Sequence, residues 1–271
     1  MKFDSNLAWR QASATVSANR DVLLALAGVF FLLPRLVLSL FMPEPQSRPN
    51  MTPAEMMEML QNFYLQIAPY AIPMMLFQAV GTLAMLTLFT DRSRPTVGQA
   101  IRQGARGLFP YLAAQFLLVV VICFAGGLLI TVAAISKQPA LILLMIAGVA
   151  VAALVVSLRM VLVAPVVAVE HTYNPIRAIE RSWQLTRGNA GRLLVFLMLL
   201  ALVIVIVMSA LVAVTGTAAA MVMGPEGAKV TSAVITSVMA AGFSLYMAAI
   251  LAAIHRQLAG PSAADISATF E

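Results

Sequence analysis

Long apolar runs, each about as long as a bilayer is thick, are the strongest constraint on this chain. Crossing about 30 Å of hydrocarbon takes roughly 20 helical residues. Six segments reach that length: residues 22–42, 66–90, 110–135, 140–169, 190–216 and 231–255. Turn-forming clusters punctuate most of their ends: Met42-Pro43-Glu44-Pro45, Asp91-Arg92-Ser93-Arg94-Pro95, Ser136-Lys137-Gln138-Pro139, Asn174-Pro175 and Gly224-Pro225-Glu226-Gly227. The start of the second run is less regular, because Pro69 and Pro73 fall in its first turns. Charge is scarce enough to exclude a single soluble fold: 10% of the 271 residues are charged, against about a quarter in a soluble domain. The expected fold is all-α, a polytopic membrane bundle of six transmembrane helices. It forms one membrane domain over residues 1–255 with a short tail at 256–271.

The net charge of +6 would point to nucleic acid in a soluble protein, but here the cations flank apolar runs, as membrane topology requires. No nucleic-acid partner is expected. Lys2, Arg10, Arg20, Arg92, Arg94, Arg102, Arg106, Arg177, Arg181, Arg187, Arg192 and Arg256 fall on one side of a six-span arrangement, and only Arg48, Lys137 and Lys229 on the other. This bias predicts that both termini are cytoplasmic. The first run is longer than the 7–15 residues of a typical signal-peptide core and lacks a convincing cleavage site, so it reads as a retained span. Cys123 is the only cysteine; it reads as a small packing residue and gives no disulfide or thiolate metal site.

Three amphipathic segments lie between the runs. Thr52-Pro53-Ala54-Glu55 is a helix start with a capping box, and Met56, Met57, Leu60, Phe63 and Tyr64 follow at helical spacing. A short helix on the outer face, packed against the ends of the bundle, is expected. The other two segments are predicted interfacial helices on the cytoplasmic side. In residues 96–109 the stripe Val97, Ile101, Ala105 and Leu108 opposes Gln99, Arg102, Gln103 and Arg106. In residues 175–187 the stripe Ile176, Ile179, Trp183 and Thr186 opposes Arg177, Glu180, Arg181, Gln184 and Arg187. An apolar face with Arg and Trp at its edges suits the headgroup level. Ala100-Ile101 followed by Gly104 matches Ala178-Ile179 followed by Ser182, 78 residues on; duplication and two similar solutions to one packing problem both account for this.

The stretch from Arg159 through Pro165 to Glu170, continued by Asn174-Pro175-Ile176-Arg177-Ala178-Ile179-Glu180-Arg181-Ser182-Trp183-Gln184-Leu185-Thr186-Arg187-Gly188, resembles the membrane-domain family of glycerophosphoryl diester phosphodiesterase and related bacterial inner-membrane proteins. The shared features are an Arg several residues before a Pro, a Glu closing the span, and an Ala-x-x-Arg-Ser-x-x-Leu-x-x-Gly helix. The resemblance marks Pro165, Glu170, Ser182, Trp183 and Gly188 as motif residues. It implies a membrane domain without the soluble catalytic barrel that accompanies it in some members: that barrel needs paired histidines, several carboxylates and a divalent metal, and His171 and His255 are the only histidines.

Arg159 is the candidate of most interest, because a charge inside a span needs a partner. Glu170 lies three helical turns on, about 16 Å along the axis, so a direct pair requires a break near Pro165. Two readings stand open: an anionic headgroup or substrate site, or a lock in which Arg159 and Glu170 each bind neighbouring groups. Arg35 reads as snorkelling to the outer headgroups, and His255 as an interfacial anchor. Glu170 and His171 would suit acid–base chemistry, but no nucleophile or third ligand stands at a recognisable spacing. Ala240, Ser244, Ala248 and Ala252 form a small-residue stripe for close packing, within the chain or between two copies. No cofactor or metal is expected. The functional expectation is a non-enzymatic protein in envelope organisation, engaging anionic lipid or a partner through Arg102, Arg106, Arg159, Arg177, Arg181, Arg187 and Arg192. The alternative is a permease for a lipid or amphiphilic anion.

Overall fold

The computed structural model describes residues 2–41, 51–90 and 95–260. The first turn cluster, most of the second, Arg48, Arg92, Arg94 and the tail from residue 261 lie outside these. The described residues form helices only: α1 (Ser5–Ala18), α2 (Arg20–Ala27), a π-helical turn (Gly28–Leu32), α3 (Leu33–Phe41), α4 (Pro53–Thr90), α5 (Val97–Ile135), α6 (Pro139–Arg159), α7 (Val163–Val169), α8 (Pro175–Thr186) and α9 (Ala190–Ala259). Five stretches are long and apolar enough to cross a membrane: Arg20–Phe41, Pro53–Thr90, Val97–Ile135, Pro139–Val169 and Ala190–Ala259. Helices meet the demand of lipid, because each satisfies its own backbone polar groups.

The π-helical turn has a local cause. Pro34 has no N–H and crowds the carbonyl four residues back, and one wide turn before it relieves that clash while Leu33 N–H donates to Gly28 O.

α9 is two helices. At Gly224 the backbone takes φ 75° and ψ −172°, a region open essentially to glycine alone, and Pro225 follows. The chain then folds back: a Cβ on Gly216 would lie 3.1 Å from Ser232 Oγ, positions that a straight helix would hold about 24 Å apart. The N-terminus ties both ends of this hairpin together. Phe3 N–H donates to Asn189 Oδ1 at 2.9 Å, and Asp4 N–H to Gln257 Oε1 at 3.2 Å.

The packed core gathers at this same end. It holds Phe3, Ala8 and Ala12 of the N-terminal segment, Leu83 to Phe89 of α4, Ala100 and Gly104 of α5, Leu162 to Ala168, Ala178 and Ser182 of α8, and Ala248 to His255 of α9. Away from it α5, α6 and α9 expose their apolar surface: the most apolar window of α9 has 0% of its residues buried, and that of α6 only 6%. Such surface is tolerated only against hydrocarbon. The chain is a helical membrane protein.

Several expectations are corrected. α1 has no counterpart in the sequence reading. The outer helix is not separate: Pro53–Thr90 is one helix, with Met56, Met57 and Tyr64 exposed and Leu60 and Phe63 half-buried. The capping box at its start does form, with Glu55 N–H donating to Thr52 Oγ1 at 3.3 Å and Thr52 N–H to Glu55 Oε2 at 2.7 Å. The amphipathic segment at residues 96–109 is likewise the start of α5, capped by a Thr96–Gln99 box. Its buried face is Ala100, Gly104 and Gly107, and Val97 and Ala105 are exposed. Residues 140–169 break at Met160–Leu162. Cys123 is exposed. In the small-residue stripe, Ala248 and Ala252 are buried within the chain, while Ala240 and Ser244 are half-buried.

Candidate functional site

The break after α6 creates the candidate site. α6 has 21 residues, about 31 Å of helix and close to the hydrocarbon thickness, and Arg159 is its last residue. The chain then turns through residues 160–162, and α7 carries Pro165 in its first turn, where a missing N–H is harmless. α7 is buried almost throughout and delivers Glu170 to the packed end. The loop 171–174 leads to α8, capped by Asn174 Oδ1, which accepts from Ile176 N–H at 3.0 Å and Arg177 N–H at 3.3 Å. His171 lies in the left-handed region at φ 50°, its ring tilted against Tyr173. Gly188, at φ 81°, makes the turn from α8 into α9.

Glu170 does not meet Arg159. Its carboxylate accepts from Arg181 Nε at 3.1 and 3.0 Å and is 3.0 Å from His255 Nε2. Burial works against the ionised carboxyl, but the hydrogen bonds from His255 and Arg181 and the Arg181 charge outweigh it and hold Glu170 below its ordinary value. His255 is no interfacial anchor: its side chain is 4% exposed, and it fastens the end of α9 to the end of α7. Nothing local in the sequence signals this contact, since 85 residues separate the partners.

Arg159 is held differently. Ser182, fully buried, donates from Oγ to the Arg159 carbonyl at 2.6 Å, satisfying an acceptor freed where α6 ends. The guanidinium lies over the Trp183 ring, 5.4 Å from its centroid, within cation–π range. Its Nε and Nη1 are buried without a hydrogen-bond partner. Among the described residues it forms no ion pair.

α8 therefore has three distinct faces, at about 100° per residue. Ala178, Ser182, Leu185 and Thr186 are buried against the protein. One flank carries Ile176 and Trp183, both exposed, with Ile179 half-buried between them, and Arg159 stacks there. The other carries Arg177 and Arg181, beside Glu170. The buried face is thus the small-residue one, and Thr186 belongs to it, contrary to the stripe expected from the sequence. Arg102, Arg106, Arg187 and Arg192 are exposed and are not drawn into this cluster. Glu170 and His171 do not form an acid–base pair: the carboxylate is engaged elsewhere and His171 is exposed in the loop. Among the described residues no group of three His, Cys, Asp or Glu is placed to hold a metal.

The family model described as the membrane domain of glycerophosphoryl diester phosphodiesterase matches residues 130–264. Residues 130–264 belong to this membrane-domain family. No curated protein and no solved structure gives a significant match. The matched stretch contains the whole junction just described, from Arg159 through Glu170, Arg181 and Ser182 to His255, and Arg102 and Arg106 lie outside it.

Proposed function

We propose that this chain is a non-enzymatic inner-membrane protein that holds anionic phospholipid at its cytoplasmic face, in a role in envelope organisation. The observation that carries the reading is the Arg159 guanidinium, stacked on Trp183 with two buried donors unused. A cation at the edge of the apolar layer needs a counter-charge, and the planar guanidinium fork suits a phosphate oxygen pair. The exposed flank Ile176–Ile179–Trp183 is then the lipid-facing side of an interfacial helix. Arg187 and Arg192, with Arg102 and Arg106 on α5, add a basic rim that favours acidic leaflets. The topology proposed with it has six passes, the hairpin at Gly224 splitting α9 into the last two. Both termini are cytoplasmic by the distribution of Lys and Arg.

Native mass spectrometry of the full chain from bilayers of mixed phosphatidylglycerol and phosphatidylcholine tests the proposal. Preferential retention of phosphatidylglycerol by the wild type, lost in Arg159→Gln and partly kept in Arg159→Lys, supports it. Equal retention of both lipids, or the same preference in Arg159→Gln, contradicts it.

The second reading, a permease for a lipid or amphiphilic anion, is favoured by an apolar groove of about 930 Å³ between α3 and α4, walled by Pro34, Val37, Pro69, Tyr70 and Phe77. Passage of a fluorescent phospholipid across proteoliposomes, absent from empty vesicles, distinguishes it.

A further inference from the structure

On the flank of α8 opposite Arg159 lies a second cleft, of about 440 Å³, bounded by Glu170, the loop 171–174, Arg177 and Arg181. Its charges do not cancel. Glu170 is its only carboxylate, and both oxygens are taken: Oε1 by Arg181 and His255, and Oε2 by Arg181. The Arg181 charge is spent in that pair. Arg177 is left exposed, with its guanidinium in no ion pair among the described residues. The remaining lining groups add donors: the Thr172 and Tyr173 hydroxyls, the Asn174 amide N–H₂ and the His171 ring. The Asn174 oxygen is already engaged in capping α8. A concave site with a spare guanidinium, several neutral donors and a carboxylate already paired with Arg181 and His255 is complementary to an anion with several oxygens.

We propose that this cleft binds a phosphate or phosphate ester. It lies on the polar flank of α8, turned away from the Ile176–Trp183 flank, which gives a water-soluble anion direct access. The site is separate from the headgroup site at Arg159, so neither depends on the other.

Isothermal titration of the full chain in phosphatidylcholine nanodiscs, with inorganic phosphate and with phenyl phosphate at constant ionic strength, tests the proposal, with chloride as blank. The wild type should bind at least one probe, and Arg177→Gln should weaken that binding by about tenfold to a hundredfold, the worth of a charge-assisted hydrogen bond. Arg177→Lys should keep part of it, and Arg159→Gln should leave it unchanged. A repeat in phosphatidylglycerol nanodiscs separates the two sources of the same chemistry. Unaltered binding there identifies the ligand as a free anion, and Arg177-dependent competition identifies it as a headgroup. Heats no greater than chloride with both probes, or equal affinity in wild type and Arg177→Gln, would overturn the proposal. Loss of the phosphatidylglycerol preference in Arg159→Gln bears only on the headgroup reading, so failure of one site is distinguishable from failure of the other.

Discussion

Glu170 joins three segments through two hydrogen-bonding partners, and its protonation is coupled to folding. Because its pKa lies below the ordinary 4.5 in the folded chain, its contribution is fully present above pH 4.5. It is lost as pH falls through the lower folded value. Glu170→Gln should cost about 1–2 kcal/mol at neutral pH, since Arg181 and His255 lose an ionised acceptor. It should also flatten the loss of stability in the acid range. Thermal unfolding of both proteins from neutral to acid pH measures this, and parallel pH profiles would count against the ion pair. The sequence presented Arg159 and Glu170 as candidate partners, eleven residues apart, yet Glu170 and Arg181 are separated by the same eleven. Chain spacing cannot choose between two cations when the helix breaks on both sides of the carboxylate. Nor could it locate His255, whose contact depends on the return of the α9 hairpin.

At the scale of elements, α4–α5 and α6–α8 meet in the same manner. Ala100 and Ala178 are both 0% exposed, and four residues on, Gly104 and Ser182 both press on the backbone of the preceding apolar segment. A Cβ on Gly104 would lie 2.9 Å from Val80 O and Ala84 N, and Ser182 Oγ reaches Arg159 O at 2.6 Å. The similarity at 78 residues thus corresponds to a shared packing role. Gly104→Ala should therefore separate α4 from α5 and destabilise by about 1–3 kcal/mol. Gly98→Ala, where a Cβ meets nothing within 4 Å, should be neutral or slightly stabilising. Thermal stability of the two variants checks the contrast, and equal effects would refute the close approach. Hydrophobic periodicity found the amphipathic character of both helices and turned their larger apolar residues toward the membrane interface, but it did not identify the face packed against protein. Close backbone approach selects Ala, Gly and Ser instead, and those residues carry little weight in an apolar pattern. α1 escaped notice for the same reason: its buried face is Ala8, Ala12 and Val16, in a segment too polar to register as a span.

For the whole molecule, the lengths of the apolar runs and the Gly224-Pro225 turn made the membrane architecture legible, because bilayer thickness and glycine's backbone freedom act on sequence directly. The sequence did not show that packing concentrates at one end, which depends on which helices extend beyond the apolar layer and meet there. Six passes predict that single cysteines replacing Gln138 and Glu226, in a Cys123→Ser background, react with an impermeant maleimide in intact spheroplasts. Cysteines replacing Ser5 and Tyr173 should react only after permeabilisation. Labelling of positions 173 and 226 from the same side would contradict the arrangement. The central claim, that Arg159 and Trp183 hold an anionic headgroup, is tested most directly by tryptophan fluorescence in the Trp9→Phe variant, where Trp183 is the only tryptophan. Brominated phosphatidylglycerol should quench Trp183 more strongly than brominated phosphatidylcholine, and Arg159→Gln should abolish the difference. Equal quenching by the two lipids in the presence of Arg159 would contradict the account.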